Sequence, residues 1–195
     1  IDGYLDHCKK AYQEYGCNKV VFIGDVIDNH YSSFHNADPD GLSAGDELKL
    51  TKQKIKLWYE AFPDADVIIG NHDAIITRKA FSSSVSKEWV KSYSEVLETP
   101  NWKFVESLIL DNVLYIHGQG GTAFKTAQNE SISVVQGHIH TEAYIKWVNN
   151  NIFGMQVGCG VDRNSYAMAY AKHFKQQILS CGIVIAGKQP LLIKM

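Results

Sequence analysis

Four short apolar runs, at residues 20–23, 67–69, 113–116 and 132–136, constrain this chain more than any other feature. Runs of this length that are rich in β-branched residues are typical of buried strands. Each run ends in a polar motif, and open α/β sheets bind their ligands at the carboxyl ends of their strands. The sequence therefore predicts an α/β fold whose strand ends carry a site.

The motifs that follow these runs contain oxygen and imidazole donors and no cysteine. They are Gly24-Asp25-Val26-Ile27-Asp28, Gly70-Asn71-His72-Asp73, His117-Gly118 and Gly137-His138-Ile139-His140. Such donors suit hard or borderline divalent metals. Each motif alone is typical of a turn, a helix cap or a histidine with a local partner. The four motifs in this order point instead to a shared metal site.

Together the motifs resemble those of the calcineurin-like metallophosphoesterases, whose pattern runs GDxxD, GNHD or GNHE, a strand-ending histidine and then GHxH. The resemblance extends over most of the chain. It implies a four-layer α/β/β/α sandwich, with two packed mixed β-sheets flanked by helices, formed by a single domain of residues 1–195. It also implies phosphoester hydrolysis by a hydroxide that bridges two divalent metal ions about 3.5–4 Å apart. Manganese is the expected metal, and iron, zinc or nickel are also chemically acceptable.

One family motif has no counterpart in this sequence. Members of the family open with an Asp-x-His motif on a first strand, and no such motif precedes Asp25. The chain begins instead within a predicted helix at about residues 2–15. We therefore expect that a first strand and its Asp-x-His are missing from this sequence. A circularly permuted chain and a degenerate metal site stay open as alternatives.

The resemblance assigns the metal ligands residue by residue. Asp25 lies at the position of the carboxylate that bridges the two metals. Asn71, His117 and His138 complete the ligands of one cation. His140 joins Asp25 at the other cation, which also needs the absent Asp-x-His. One cation site is therefore expected to be complete and the other only half present.

The second motif also implies a catalytic role for His72. In the family, the histidine at this position contacts the substrate phosphate and protonates the leaving group, and the ordinary pKa of an imidazole suits that task. Asp28 matches the residue that orients this histidine. Asp73 closes the motif, and it either belongs to the site or caps the segment that follows.

Three residues outside the motifs are candidates for substrate contacts. His30 and His35 lie in the polar loop after Asp28, where ordinary loop residues explain them as well. Arg78 follows the second motif closely. Together with Lys79 it would suit a second phosphate or a nucleic-acid backbone, or it is simply a solvated charge.

Composition bears only weakly on partners and compartment. The net charge of −2 gives no bulk attraction to nucleic acid, which stays open as a partner through a local cationic cleft. No stretch is long enough to span a membrane, and these residues contain no charged-then-apolar signal segment, while a signal that precedes residue 1 stays open. The four cysteines lack metal-type spacing and suit free thiols in a reducing compartment. We expect a cytoplasmic protein that acts on a phosphoester and does not contact membranes.

Strands that alternate with helices predict parallel pairing early in the chain, and short strands dominate its last third. A long helix is expected between the loop at 28–45 and Phe62, and a helical insert at 74–100. The four tryptophans sit among apolar residues and are predicted to be core. Further strands are predicted at about 103–110, 113–117, 142–148, 152–157, 181–187 and 190–194, with a turn at Asp111-Asn112.

Two functions are compatible with these motifs. The first is a metal-dependent phosphodiesterase or phosphatase. Protein phosphatases of the superfamily carry GDxxDRG and GNHE, whereas here Asn29-His30 follows Asp28 and Asp73 replaces the glutamate. That difference favours the nuclease and phosphodiesterase branches, and the loop resembles stand-alone phosphoesterases of phages and bacteria. The second is a metal-binding scaffold of the same fold, which the missing Asp-x-His motivates.

Overall fold

The computed structural model describes residues 2–34, 40–161 and 176–195, so the candidate residue His35 lies outside the described residues. Within these ranges the chain is mixed α/β, which confirms the predicted class. The helices are α1 (Tyr4–Glu14), α2 (Ala44–Ala61), α3 (Ile75–Ser82), α4 (Tyr93–Leu97) and α5 (Ala123–Glu130). The strands are β1 (Val21–Phe22), β2 (Asp66–Ile68), β3 (Lys103–Val105), β4 (Ser107–Leu110), β5 (Val113–Ile116), β6 (Ser133–Gln136), β7 (Ala143–Trp147), β8 (Phe153–Val157), β9 (Ser180–Ile185) and β10 (Gln189–Lys194).

Parallel pairing in two sheets aligns the strand ends that carry the motifs. The first sheet has the order β1-β2-β3, and all its strands are parallel. The second has the order β4-β5-β6-β8-β7, in which β5, β6 and β8 are parallel and the two edge strands are antiparallel. Strands β9 and β10 form an antiparallel hairpin that packs on β7 and β8. The carboxyl ends of β1 and β2, and those of β5 and β6, therefore lie side by side.

Most predicted elements are found close to their expected positions. Helix α2 begins after Ser43, whose hydroxyl accepts a hydrogen bond from the Asp46 N–H at 3.2 Å, and it ends before Pro63. The turn at Asp111-Asn112 has the two positive φ angles, 50° and 59°, that a two-residue hairpin turn requires. The helix end near Phe62 and the turn at 111–112 were predicted from local signals, and the Ser43 cap is a finding of the structure.

The strand predicted at 103–110 is instead two strands in different sheets. Strand β3 pairs with β2 in the parallel sheet, and β4 pairs with β5 through the hairpin turn. Only Glu106 separates them. Phe104 of β3 packs against the apolar cluster beneath α2. The turn at 111–112 instead fixes the register of β4 against β5. The two halves of the stretch therefore pair with different strands.

The helical insert at 74–100 is also broken, because its serines cap new turns. Ser86 begins a short 3-10 turn over Lys87–Trp89, and Ser92 forms a capping box with Glu95 at the start of α4. Trp89 is consequently 85% exposed rather than core, and Trp147 on an edge strand is 48% exposed. The predicted burial of the tryptophans is correct for Trp102, which is buried, and Trp58, which packs against the same cluster.

Two apolar clusters meet near the end of β1. One lies between α2 and the parallel sheet and includes Val67 and Trp102. The other lies between the five-stranded sheet and the β9–β10 hairpin and includes Val135 and Met155. Ile23, just after β1, packs against the second cluster, so the two sheets approach each other at the strand ends.

Among the described residues, no helix combines the length and the apolar character needed to cross a membrane.

Two glycines give a matched test of this packing. A Cβ on Gly154 would lie 2.5–2.7 Å from backbone atoms of Phe124 and Ala123, which cannot move aside without displacing α5. Gly154→Ala should therefore lower the free energy of unfolding by about 1–3 kcal/mol. Gly45, in α2, has nothing within 4 Å of such a Cβ. Gly45→Ala should raise the free energy by about 0.5 kcal/mol because alanine favours the helix. Urea unfolding measures both, and similar values for the two variants would contradict this packing.

Candidate metal centre

The motif residues meet because glycines let the strand ends come close together. A Cβ on Gly70 would collide with the backbone and carboxylate of Asp25, and one on Gly24 would collide with the His117 ring. Gly24 also has a φ of 86°, which side chains rarely tolerate. The glycines of these motifs are therefore required by close approach, which brings Asp25 against His72 and His117.

The Nε2 atom of His117 is the point on which the site converges. It lies 3.0 Å from Asp25 Oδ2, 3.0 Å from Asn71 Oδ1 and 3.2 Å from His138 Nδ1. His117 is buried, and its ring meets that of His138 edge to face at a centroid distance of 5.1 Å. The structure thus brings together four of the five predicted metal ligands.

The hydrogen bonds of His117 determine which of its nitrogens faces the site with a lone pair. Its Nδ1 lies 2.7 Å from the Ile23 carbonyl oxygen, which can only accept, so Nδ1 carries a proton. In the neutral ring Nε2 is then an acceptor, and it faces a carboxylate oxygen, the Asn71 amide oxygen and an imidazole nitrogen. Converging acceptors repel one another unless a cation lies between them. Ligand atoms about 3.0–3.5 Å apart are what metal–ligand bonds of about 2.0–2.2 Å produce. The donor set therefore fits a divalent metal.

The pKa values of Asp25, His117 and His138 are shifted by burial and by the charges of one another. Burial alone would raise the pKa of Asp25, but the hydrogen bond and charge of His117 hold it below its ordinary value. Burial opposes protonation of His117, yet the Asp25 carboxylate raises its pKa. Burial and the charge of His117 lower the pKa of His138. The pKa of Asp25 and the pKa of His117 thus shift in opposite directions, as expected for a carboxylate that faces an imidazole at close range.

Among the described carboxylates, histidines and cysteines, the ligand atoms of Asp25, His117 and His138 form the converging group. His140, the fifth predicted ligand, is not part of it. Its backbone carbonyl accepts a hydrogen bond from the Ile178 N–H at 2.9 Å. Burial and the neighbouring histidines lower the pKa of His140, while the charge of Asp25 acts to raise it. His140 therefore lies within the electrostatic reach of the cluster, and its assignment to a second cation stays a prediction.

His72 lies beside the cluster and is held by Asp28. Its Nδ1 lies 2.8 Å from Asp28 Oδ1 and 2.9 Å from the Asp28 carbonyl, so Nδ1–H donates to both. This leaves Nε2 available to a substrate. The hydrogen bond to the Asp28 carboxylate raises the pKa of His72 to about 9 against the opposing effect of burial. A cation bound nearby would lower that pKa again, towards neutrality.

Asp73 does not cap the helix that follows it, which was one of the two roles that the sequence allowed. Helix α3 begins without a side-chain cap, so that interpretation is wrong. Instead Asp73, only 1% exposed, accepts backbone N–H bonds from Asp25 at 2.8 Å, Ile27 at 3.1 Å and Gly70 at 2.7 Å. Burial raises its pKa to about 6 against these hydrogen bonds. One carboxylate therefore ties the first two motifs together, and its place at the end of GNHD was the only signal for it.

The substrate candidates differ in how close they come to His72. Arg78 lines a small cleft with Asn71 and His72, together with the unpredicted residues Phe34 and Ile75. His30 does not line this cleft, and its proposed contact stays a prediction. Its backbone N–H donates to the carboxylate of Glu47 at 2.7 Å, a loop contact between distant residues that no sequence pattern indicated.

No protein-family model and no curated protein matches this chain significantly. The resemblance to the calcineurin-like metallophosphoesterases accordingly depends on the four sequence motifs.

Loading the centre with metal should stabilise the fold. Mn²⁺ at about 100 times its dissociation constant should raise the free energy of unfolding by about 2.7 kcal/mol, and excess EDTA should remove the gain. His138→Ala deletes one converging donor from a partly exposed position, so it should abolish most of the Mn²⁺ effect. The control is His7→Ala on α1, whose ring contacts the Ile193 carbonyl. Thermal unfolding with and without Mn²⁺ measures both, and a full response in His138→Ala would exclude this centre.

The role of Asp73 can be tested by a single change of oxygen to nitrogen. Asp73→Asn replaces one of the two oxygens that accept backbone N–H bonds by an NH₂ group, which can only donate. It should lower the free energy of unfolding by about 1–3 kcal/mol, because a buried N–H loses its partner. It should also weaken Mn²⁺ binding, because Asp25 loses its backbone anchor. Asp64→Asn at an exposed position should change stability by less than about 0.5 kcal/mol. Calorimetric Mn²⁺ titration and urea unfolding provide the readouts, and equal behaviour of the two variants would exclude this role.

Proposed function

We propose that this chain is a metal-dependent phosphoester hydrolase of the calcineurin-like type, a phosphodiesterase or phosphatase. The observation that carries the proposal is a histidine held by a carboxylate directly beside converging metal ligands: His72 bonds Asp28, and its backbone N–H donates to Asp25 Oδ1 at 2.9 Å. A metal-binding scaffold has no need of such a histidine. The same proposal takes the two larger sheets as the inner layers of the family's α/β/β/α sandwich.

Two divalent cations, with manganese as the expected metal, would neutralise phosphate charge and supply an activated water. Asp25, Asn71, His117 and His138 would hold one, and Asp25 with His140 would contribute to the other. The chain's own residues orient these donors: the Ile23 carbonyl sets the His117 tautomer, and Asp73 fixes the backbone that presents Asp25.

His72 would act at the leaving group. Its Nδ1 proton is engaged by Asp28, so the proton available to substrate is on Nε2. The Asp28 carboxylate keeps the imidazolium form populated at neutral pH. Transfer of the Nε2 proton to the departing oxygen would avoid release of a strongly basic alkoxide.

A scaffold function is the second candidate. It is favoured by the position of His140 outside the convergent donor group, which leaves one well-assembled cation site among the described residues. Such a protein would bind a metal and a partner without turnover.

Mn²⁺-dependent hydrolysis of chromogenic and alkyl phosphodiesters separates these functions. EDTA should abolish turnover and Mn²⁺ should restore it. His72→Asn keeps an N–H that can bond Asp28 but has no proton to transfer, so turnover of a diester with an alkyl leaving group should fall about 10²–10⁴-fold. With 4-nitrophenolate, a far weaker base, the fall should be much smaller.

His7→Asn, the same substitution on α1, serves as the control and should leave both rates unchanged. An equal loss with the two leaving groups would contradict the acid role of His72. Absence of turnover from a folded chain loaded with Mn²⁺ would favour the scaffold.

A further inference from the structure

A cleft beside His72 has a composition that the hydrolytic chemistry alone does not require. Its volume is about 120 Å³, much less than the roughly 300–1,000 Å³ of pockets that enclose a whole small ligand. It therefore suits one ring system of a larger molecule. The residues that line it are Ser33, Phe34, Asn71, His72, Ile75 and Arg78. Any group seated there touches His72 and Asn71, so the cleft is continuous with the proposed reaction centre.

An exposed aromatic ring and two cations form the outer part of this cleft. Phe34 is 62% exposed. The guanidinium carbon of Arg78 lies 5.1 Å from the centre of its ring, and Lys79 Nζ lies 5.4 Å from it. The ion pairs found among the described residues involve neither Arg78 nor Lys79. Both cations carry N–H donors that suit an anion on a ligand.

The loop that carries Phe34 is anchored from several directions. Glu47 of α2 accepts the backbone N–H groups of His30 at 2.7 Å and Tyr31 at 3.1 Å. Asn29 Nδ2 donates to the His72 carbonyl oxygen at 3.0 Å, which ties the loop to the second motif. Lys79 Nζ donates to the Ser33 carbonyl at 3.3 Å, next to Phe34 itself. These contacts set the position of the ring relative to His72 before any ligand binds.

This combination matches a nucleotide more closely than other phosphoesters. A solvent-exposed aromatic face is a stacking platform for a base, and stacking is tolerant of sequence. Arg78 adds a planar donor group suited to phosphate oxygens. A small alkyl phosphoester would use the cations but would leave the exposed ring without a partner.

We propose that the cleft is a nucleoside subsite, in which Phe34 stacks on a base and Arg78 pairs with a second phosphate of the same substrate. This inference rests on the proposed hydrolase function and names its substrate class. The second phosphate belongs either to the next residue of a nucleic-acid chain or to the polyphosphate of a mononucleotide, and the two share the same chemistry.

A pair of chromogenic diesters with the same leaving group tests the base contact. In Mn²⁺, kcat/KM for thymidine 5′-(4-nitrophenyl phosphate) should exceed that for methyl 4-nitrophenyl phosphate by about tenfold or more, as expected for one stacked base. Phe34→Ala should reduce this ratio to about one. Phe81→Ala on α3, an exposed aromatic outside the cleft, should leave the ratio intact. If both diesters are hydrolysed with equal kcat/KM in the unmodified protein, the subsite is excluded while the hydrolase function survives.

Equilibrium binding tests the subsite independently of turnover. In the His72→Asn background with Mn²⁺, calorimetry would compare methyl phosphate, thymidine 3′,5′-bisphosphate and thymidine 5′-diphosphate. At least one nucleotide should bind about tenfold more tightly than methyl phosphate, and Arg78→Ala should remove most of that difference. Preference for the bisphosphate indicates a nucleic-acid chain, and preference for the diphosphate indicates a mononucleotide. Equal affinities for all three ligands would overturn the proposal even if neither diester is hydrolysed.

Discussion

The side chain of Asp73 sets the geometry on which the rest of the site depends. Its two oxygens accept backbone N–H groups from the first and second motifs, and it is almost wholly buried. A buried carboxylate is costly unless such donors surround it, and its pKa is raised to about 6 mainly by burial. The buried carboxylate lies where the backbone of Asp25 meets the backbone of Gly70, which precedes Asn71. Asp73 thus anchors the backbone that presents Asp25 and Asn71, and the Ile23 carbonyl holds the ring of His117.

The site and the adjacent cleft have opposite electrostatic characters. Around His117 Nε2, hydrogen-bond acceptors converge, and a bound cation would relieve their mutual repulsion. A few residues away, Arg78 and Lys79 present cations beside an exposed ring. A phosphoester placed across both would have its reacting phosphate at the metal centre and a further anion at the cleft. His72 lies between the two regions and contacts both, which is consistent with the acid role proposed for it.

The elements best predicted from the sequence were those with local signals. The polar loop at 28–45, the helix end near Phe62 and the Asp111-Asn112 turn marked boundaries that the structure reproduces. Predictions failed where neighbours distant in sequence decide the outcome. The stretch at 103–110 divides between two sheets because its halves pair with different strands. The exposure of Trp89 has a local cause instead, because the caps formed by Ser86 and Ser92 interrupt the predicted helix on either side of it.

By itself, the sequence determined which donor atoms would be available and that they would follow strands, because strand period and motif chemistry are local properties. It also indicated that Asp25, Asn71, His117 and His138 belong together. Only the tertiary structure decided the tautomer of His117, the anchoring by Asp73 and Glu47, and the cleft at Phe34. Those features join residues that are far apart in the chain, and their geometry follows from how the two sheets and α2 pack rather than from any local pattern.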